Sequence, residues 1–203
     1  MAENKTSNNK RIIIVGIPGV GKTSVISLVN GALNHKGYQT TVAVFGTIMF
    51  EEAKKIGLKN RDELRKLSIR DQQHLQEMAA KRIAEMNDDI VIIDTHLFVK
   101  TAEGYYPGLP MTLLDIIKPT HFVIIMAEPK EIVDRRKCDT SRHRDIVSVE
   151  DVQHELDISN IMVASSSIIT GSPFTIIMNK DNKINDAALK IVNVLKEEKK
   201  IIK

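Results

Sequence analysis

The chain has 203 residues, enough for one large domain with a real core and too few for two full ones. Its 29 basic and 26 acidic residues nearly cancel, and no basic run is interleaved with aromatics, which argues against a nucleic-acid-binding face. A single cysteine, Cys138, excludes an intramolecular disulfide and a multi-cysteine zinc site, and no apolar run approaches the roughly 20 residues of a membrane span.

The polar start "MAENKTSNNK" lacks the apolar stretch of a signal peptide and reads as a flexible tail, residues 1–10, of a cytoplasmic protein whose single domain fills 11–203. Ile12 to Val15 is a short apolar run of the kind a buried strand shows. "GIPGVGKTS", Gly16 to Ser24, follows at once, and Gly16, Gly21, Lys22 and Thr23 fill every fixed place of the P-loop template. Strand, motif and helix stand in register, which is the context the motif requires. Glycines there let successive backbone N–H groups converge on one anion, and the helix that follows aims its positive end at the same point. Gly16, Ile17, Pro18, Gly19, Val20, Gly21, Lys22, Thr23 and Ser24 are therefore the expected ATP-binding segment. Lys22 would reach the β- and γ-phosphates, and the Thr23 hydroxyl would ligate the accompanying Mg²⁺.

A helical stripe from Thr23 to about His35 ends at "HKGY". Strand signals recur at Thr40 to Gly46, Asp89 to Asp94, His121 to Ala127 and Phe174 to Asn179. Between the second and third lies a long helical stretch with Asn60 as cap, Glu63 completing a capping box, and an apolar face running from Leu64 to Met86. Further helices fit Met111 to Ile117, Pro129 to Arg136, Val149 to Ile169 and Asn185 to Lys199, with "KEEKKIIK" as a solvated helix end. This alternation predicts an α/β fold: a five-stranded, mainly parallel sheet with helices on both faces.

Asp94 stands at the end of the third strand, where a carboxylate can hold the magnesium's water shell. Read alone it is equally a turn residue; beside a P-loop the functional role is favoured. Thr95 follows it in place of the glutamate that motor ATPases use to polarise water, and "NKDN", Asn179 to Asn182, lacks the fourth-place aspartate of a base-reading G-protein motif. Phosphoryl transfer between small molecules needs converging positive charge and exclusion of water, and "DRRKCDTSRHRD" offers Arg135, Arg136, Lys137, Arg142, His143 and Arg144 in a short turn-centred flap. A solvated basic loop is the alternative for such a run. His74 and His154 have no metal-spaced partners, and the methionines fit core filling.

These stretches, together with "RDELRKL" (Arg61 to Leu67), "DTH" (Asp94 to His96) and "GYYPGLP" (Gly104 to Pro110), resemble the archaeal type of adenylate kinase over nearly the whole chain. The resemblance implies a P-loop kinase fold with an acceptor-binding helical insertion at about 47–86 and a lid at about 137–147. It implies reversible, Mg²⁺-dependent phosphoryl transfer from ATP to AMP, giving two ADP, with no zinc. Lys22, Arg136, Arg142 and Arg144 would be catalytic. The acceptor would be held by the Phe45 to Met49 segment, Arg61, Arg65, Asp94, Thr95, His96, Lys100 and Gly108. Partners would be ATP, AMP, ADP and further copies of the chain in a homotrimer, with neither nucleic acid nor membrane. The chain departs from the family at Thr47, where Gly-Asp is usual after the second strand, and at Lys100, which replaces an arginine. Competing readings are a kinase for another nucleoside monophosphate or small metabolite, and a nucleotide-dependent RNA-associated or assembly ATPase.

Overall fold

Four consecutive residues, Ile12 to Val15, are wholly buried, which a strand allows only when both faces of its sheet are covered. They form most of β1 (Lys10–Val15) in a computed structural model that describes residues 9–65, 67–101, 104–138 and 148–196. After β1 come α1 (Lys22–Asn34), β2 (Thr40–Val44), α2 (Phe45–Lys55), α3 (Arg61–Arg65), α4 (Ile69–Ala84) and β3 (Ile90–Asp94). The chain continues through β4 (Phe98–Thr101), β5 (Gly104–Pro107), α5 (Met111–Ile117), β6 (His121–Met126), α6 (Pro129–Cys138), α7 (Val149–Thr170), β7 (Phe174–Met178) and α8 (Ile184–Lys196).

The five apolar runs make one sheet in the order β2-β3-β1-β6-β7, and every neighbouring pair is parallel. Side chains alternate across it. Ile12 and Ile14 enter a core with Val25, Val29 and Leu33 of α1 and Ile191 and Leu195 of α8. Ile13 and Val15 enter a second core with Ile48 of α2, Leu75 and Ile83 of α4, and Leu113 and Ile117 of α5. The expected doubly covered α/β sheet is thus present. β1 lies between β3 and β6, and successive connections run to opposite sides of it, so a crevice opens at its carboxyl end.

Several boundaries differ from the sequence reading. The strand reaches back to Lys10, so the expected tail ends one residue early; residues 1–8 lie outside the described residues. β2 stops at Val44, and Phe45 and Gly46 already belong to α2, because the strand passes into the helix without an intervening loop. The single long helix expected from Asn60 is split into α3 and α4: Ser68 accepts from the Asp71 backbone N–H and starts a new helix. Glu63 does bond to Asn60, its N–H donating to Oδ1 at 2.9 Å. "GYYP" is a strand of an antiparallel hairpin with β4, neither strand of which the sequence reading anticipated. Among the described residues no helix is long and apolar enough to cross a membrane.

α2 and α4, which flank the crevice, are fastened by charge. Lys55 Nζ donates to both Glu52 oxygens at 2.8 and 2.6 Å, and Arg82 reaches Glu51 at 2.6 Å and Glu52 at 3.3 Å. These donors, the Lys55 hydrogen bond first, hold the Glu52 carboxyl below its ordinary value of 4.5. A carboxylate with a lowered folded-state pKa stabilises the fold fully above its unfolded value, and the contribution is lost as pH falls through the folded value. Glu52→Gln is expected to cost on the order of 1 kcal/mol near neutrality. The gap to wild type should narrow as pH drops below 4.5, as urea unfolding at neutral and acid pH will measure.

Candidate functional site

At the carboxyl end of β1 the chain turns into α1 through Gly16–Gly21, and α1 begins without the usual side-chain cap. Its N-cap is Gly21, no side chain bonds to the first N–H groups, and the first turn carries no acidic residue. Those donors are left facing the crevice, an arrangement suited to an anion. Gly21 has φ of 82°, and a Cβ there would lie 2.5 Å from Asn179 Nδ2.

Three successive carbonyls of the loop are engaged from behind. Arg136 Nε donates to Pro18 O at 2.8 Å, Asn179 Nδ2 to Val20 O at 2.8 Å, and Arg135 Nη1 to Gly19 O at 3.5 Å. Because each peptide unit is planar, fixing these oxygens fixes the direction of the N–H groups on the other side. Asn179 itself is buried at the end of β7, its N–H donating to Met126 O at 2.7 Å. Arg135 is anchored in turn by Asp181, by Glu131 and by Asn179 O.

A cleft of about 760 Å³ opens in front of this loop. Its lining includes Ile17, Pro18, Gly19, Gly21, Lys22, Thr23 and Ser24 on one side, and Thr47, Arg61, Thr95, His96 and Gly108 on the other. Lys22 and Asp94, at the ends of α1 and β3, form an ion pair between the two groups. Burial pushes the Lys22 ammonium down to about 8. Arg61 Nη2 donates to Thr47 Oγ1 at 3.0 Å, joining α3 to α2. Gly108 is packed so closely on the "DTH" turn that a Cβ would lie 2.2 Å from His96 O, and its N–H donates to Leu97 O at 2.7 Å.

Of the expected site residues, then, Gly16 to Ser24 form the loop and its helix start, and Arg61, Asp94, Thr95, His96 and Gly108 share the cleft with it. Arg136 is beside the loop, but its guanidinium is bound to Pro18 O and, at 2.8 Å, to Glu155 of α7; of the two arginines of α6 it is Arg135 that lines the cleft. Arg142 and Arg144 lie outside the described residues, as do the side chains of Arg65 and Lys100. Sequence reasoning passed over Gln76, Val44 and Val99 in the lining, and it dismissed "NKDN" although Asn179 and Asp181 brace the loop and its arginine. A strand-end asparagine opposite a glycine loop was the available signal.

Comparison with known proteins follows the same outline. The chain is 39% identical over 190 residues to an adenylate kinase of Methanocaldococcus jannaschii, a match covering 93% of this chain and 99% of that protein. It belongs to the adenylate kinase family. A second adenylate kinase, from Thermoplasma acidophilum, is 42% identical over 186 residues, covering 91% of this chain and 98% of the relative. The family described as an AAA domain matches residues 15–153, from the last residue of β1 into α7. Among solved structures, shikimate kinase from Acinetobacter baumannii in complex with shikimate superposes with a TM-score of 0.61 at 15% identity, over 96% of this chain and 97% of that one. Shikimate kinase from Bacteroides thetaiotaomicron gives 0.55 at 13%, over 92% and 98%. At such identities these kinases share the fold with this adenylate kinase relative.

Gly21→Ala would place a β-carbon in a left-handed conformation and against Asn179. The expected result is a loss of roughly 1–2 kcal/mol of stability together with weaker binding of an ATP analogue. Chemical denaturation and a binding titration read the two effects separately.

Proposed function

We propose that the chain transfers the γ-phosphoryl group of Mg·ATP to AMP, and back from ADP to ADP. The observation that carries this reading is one cleft in which the phosphate loop and the acceptor-side group of Thr47, Arg61, His96 and Gly108 face each other across Lys22 and Asp94. An acceptor-phosphate oxygen attacks the γ-phosphorus as the bond to the β–γ bridging oxygen breaks, so no enzyme nucleophile is needed.

The Gly16–Ser24 backbone donors hold the triphosphate, and Lys22, its charge reinforced by the phosphates it meets, stabilises the charge in transfer. Arg142 and Arg144 supply further positive charge from the lid side and exclude water, while Arg136, expected to join them, acts through its hold on Pro18 O. Arg61, Arg65, Lys100 and the Asp94–His96 turn hold the acceptor. The oxygen-only pair of Thr23 hydroxyl and Asp94 carboxylate suits a hard cation such as Mg²⁺, which when bound would neutralise phosphate charge. No zinc is required.

For the assembly we propose a homotrimer, the number three resting on family resemblance. No residue from Ile158 to Asn179 is charged, yet this stretch puts Ile161, Ile168 and Ile169 of α7 and Phe174 and Ile176 of the edge strand β7 on the surface. Ile168 is 83% exposed. An uncharged apolar surface of that kind fits contact between copies. Light scattering on the purified protein should give three times the chain mass, and Ile168→Lys should shift it toward one; a monomeric wild type sinks this point.

The activity has a direct assay. Incubated with ADP and Mg²⁺, the protein should form ATP and AMP in equal amounts, and Lys22→Ala should cut that rate at least about a hundredfold with the fold intact. Slow ATP hydrolysis stimulated by a macromolecule, without ADP disproportionation, overturns the reading. Equal use of AMP and pyrimidine monophosphates overturns the choice of acceptor.

A further inference from the structure

Arg136 meets the phosphate loop at a single peptide unit. Its Nε donates to Pro18 O at 2.8 Å, and its Cγ lies 3.1 Å from where a Cβ would stand on Gly19, so the side chain runs along the Pro18–Gly19 peptide. That peptide is planar and trans, and the N–H pointing away from Pro18 O is that of Gly19. Gly19 lines the cleft, and its N–H makes no hydrogen bond among the described residues. The next N–H differs, since Val20 donates back to Ile17 O at 3.4 Å. Arg136 therefore orients a donor that is still available to a phosphate.

A guanidinium beside an anion site would turn toward an incoming triphosphate unless an opposite charge held it back. Glu155 of α7 supplies that charge. Its Oε2 accepts from Arg136 Nη2 at 2.8 Å, and the arginine and glutamate side chains are only 9% and 14% exposed. Solvent and salt screen so enclosed a pair little, and removing one partner leaves the other charge uncompensated. Glu155 also stands on a firm support: Val152 and Leu156, one turn before it and next to it on α7, share a core with Ile132 and Val133 of α6.

We propose that Glu155 is a positioning residue for the donor nucleotide, keeping Arg136 on Pro18 O and thereby the Gly19 N–H aimed at a phosphate. Its carboxylate acts through Arg136 and does not touch the substrate. The proposal rests on Gly16–Ser24 being the site of the ATP phosphates and names what holds one of its donors in line.

The test separates donor from acceptor. KM for Mg·ATP, KM for AMP and kcat are measured for wild type, Glu155→Ala, Glu155→Gln and Asp157→Asn, and the Kd of the β,γ-imido analogue of ATP with Mg²⁺ is measured by titration. Glu155→Ala should raise KM for Mg·ATP and the analogue's Kd on the order of tenfold, with KM for AMP kept within about twofold. Glu155→Gln, which retains an accepting oxygen, should recover most of the loss. Asp157→Asn, which removes a carboxylate paired with Gln153 on the exposed face of the same helix, should match wild type. Arg136→Met should weaken donor binding by itself, and Glu155→Ala added to it should weaken it no further, because the charge to be held is gone. That double variant also carries no unpaired buried charge, so it reports on the coupling even if Glu155→Ala folds poorly. Donor binding that is unchanged or tighter in Glu155→Ala overturns the assignment, as do donor and acceptor weakened alike or additive losses in the double variant. The titration reads this inference whatever the acceptor is: a wild type that binds the analogue yet forms no ATP and AMP from ADP overturns the phosphotransferase reading alone, and one that binds no analogue overturns both.

Discussion

The site depends on holding a loop by its carbonyls. Pro18, Gly19 and Val20 each lose their oxygen to a donor from another part of the chain: Arg136, Arg135 and Asn179. Glycine gives such a loop freedom, and freedom alone would leave its N–H groups pointing in many directions. The three anchors, drawn from α6 and the end of β7, remove that freedom from behind. What remains in front is a set of oriented donors continuous with the uncapped start of α1.

The sheet explains why those anchors converge. With β1 flanked by β3 and β6, the carboxyl ends of three parallel strands meet beside the loop, and each delivers something different. β3 ends in Asp94, β6 leads into the helix carrying both arginines, and β7, next to β6, leads directly into Asn179. On the opposite side of the cleft, the Glu51, Glu52, Lys55 and Arg82 cluster keeps α2 and α4 together, so Thr47 and Gln76 are carried on one braced unit. The phosphate-loop side of the cleft and the wall facing it thus rest on separate supports that share a single crevice.

Much of this was written in local sequence. The strands of the sheet are apolar runs that need no partner to be noticed, and Gly16 to Thr23 is a fixed pattern in a strand-to-helix setting. Elsewhere the local signal is absent or misleading. The hairpin strands are four residues each and lack a clear alternation, so nothing local marked Tyr105 and Tyr106 as strand. Phe45 starts a helix whose cap residue, Val44, makes no side-chain cap, leaving nothing to mark the change from strand. Ser68 did carry a capping signal, but it was hidden inside an amphipathic pattern that continues across it. Gln76 could not be found from its neighbours in sequence at all: its surroundings are set by the hairpin lying against α4 and by α2 packed beside it. For the same reason, charge composition shows that Arg135 and Arg136 are adjacent but not that they grip different carbonyls.

The strand that leads into Asn179 is also the outermost strand of the sheet, and its exposed side chains Phe174 and Ile176 are apolar. Whatever packs there leans on the far end of the same beam that steadies Val20 O. In the proposed assembly of copies, dilution that strips a neighbour away would therefore loosen the cradle from a distance, tying the proposed grip on phosphate to the protein's own concentration.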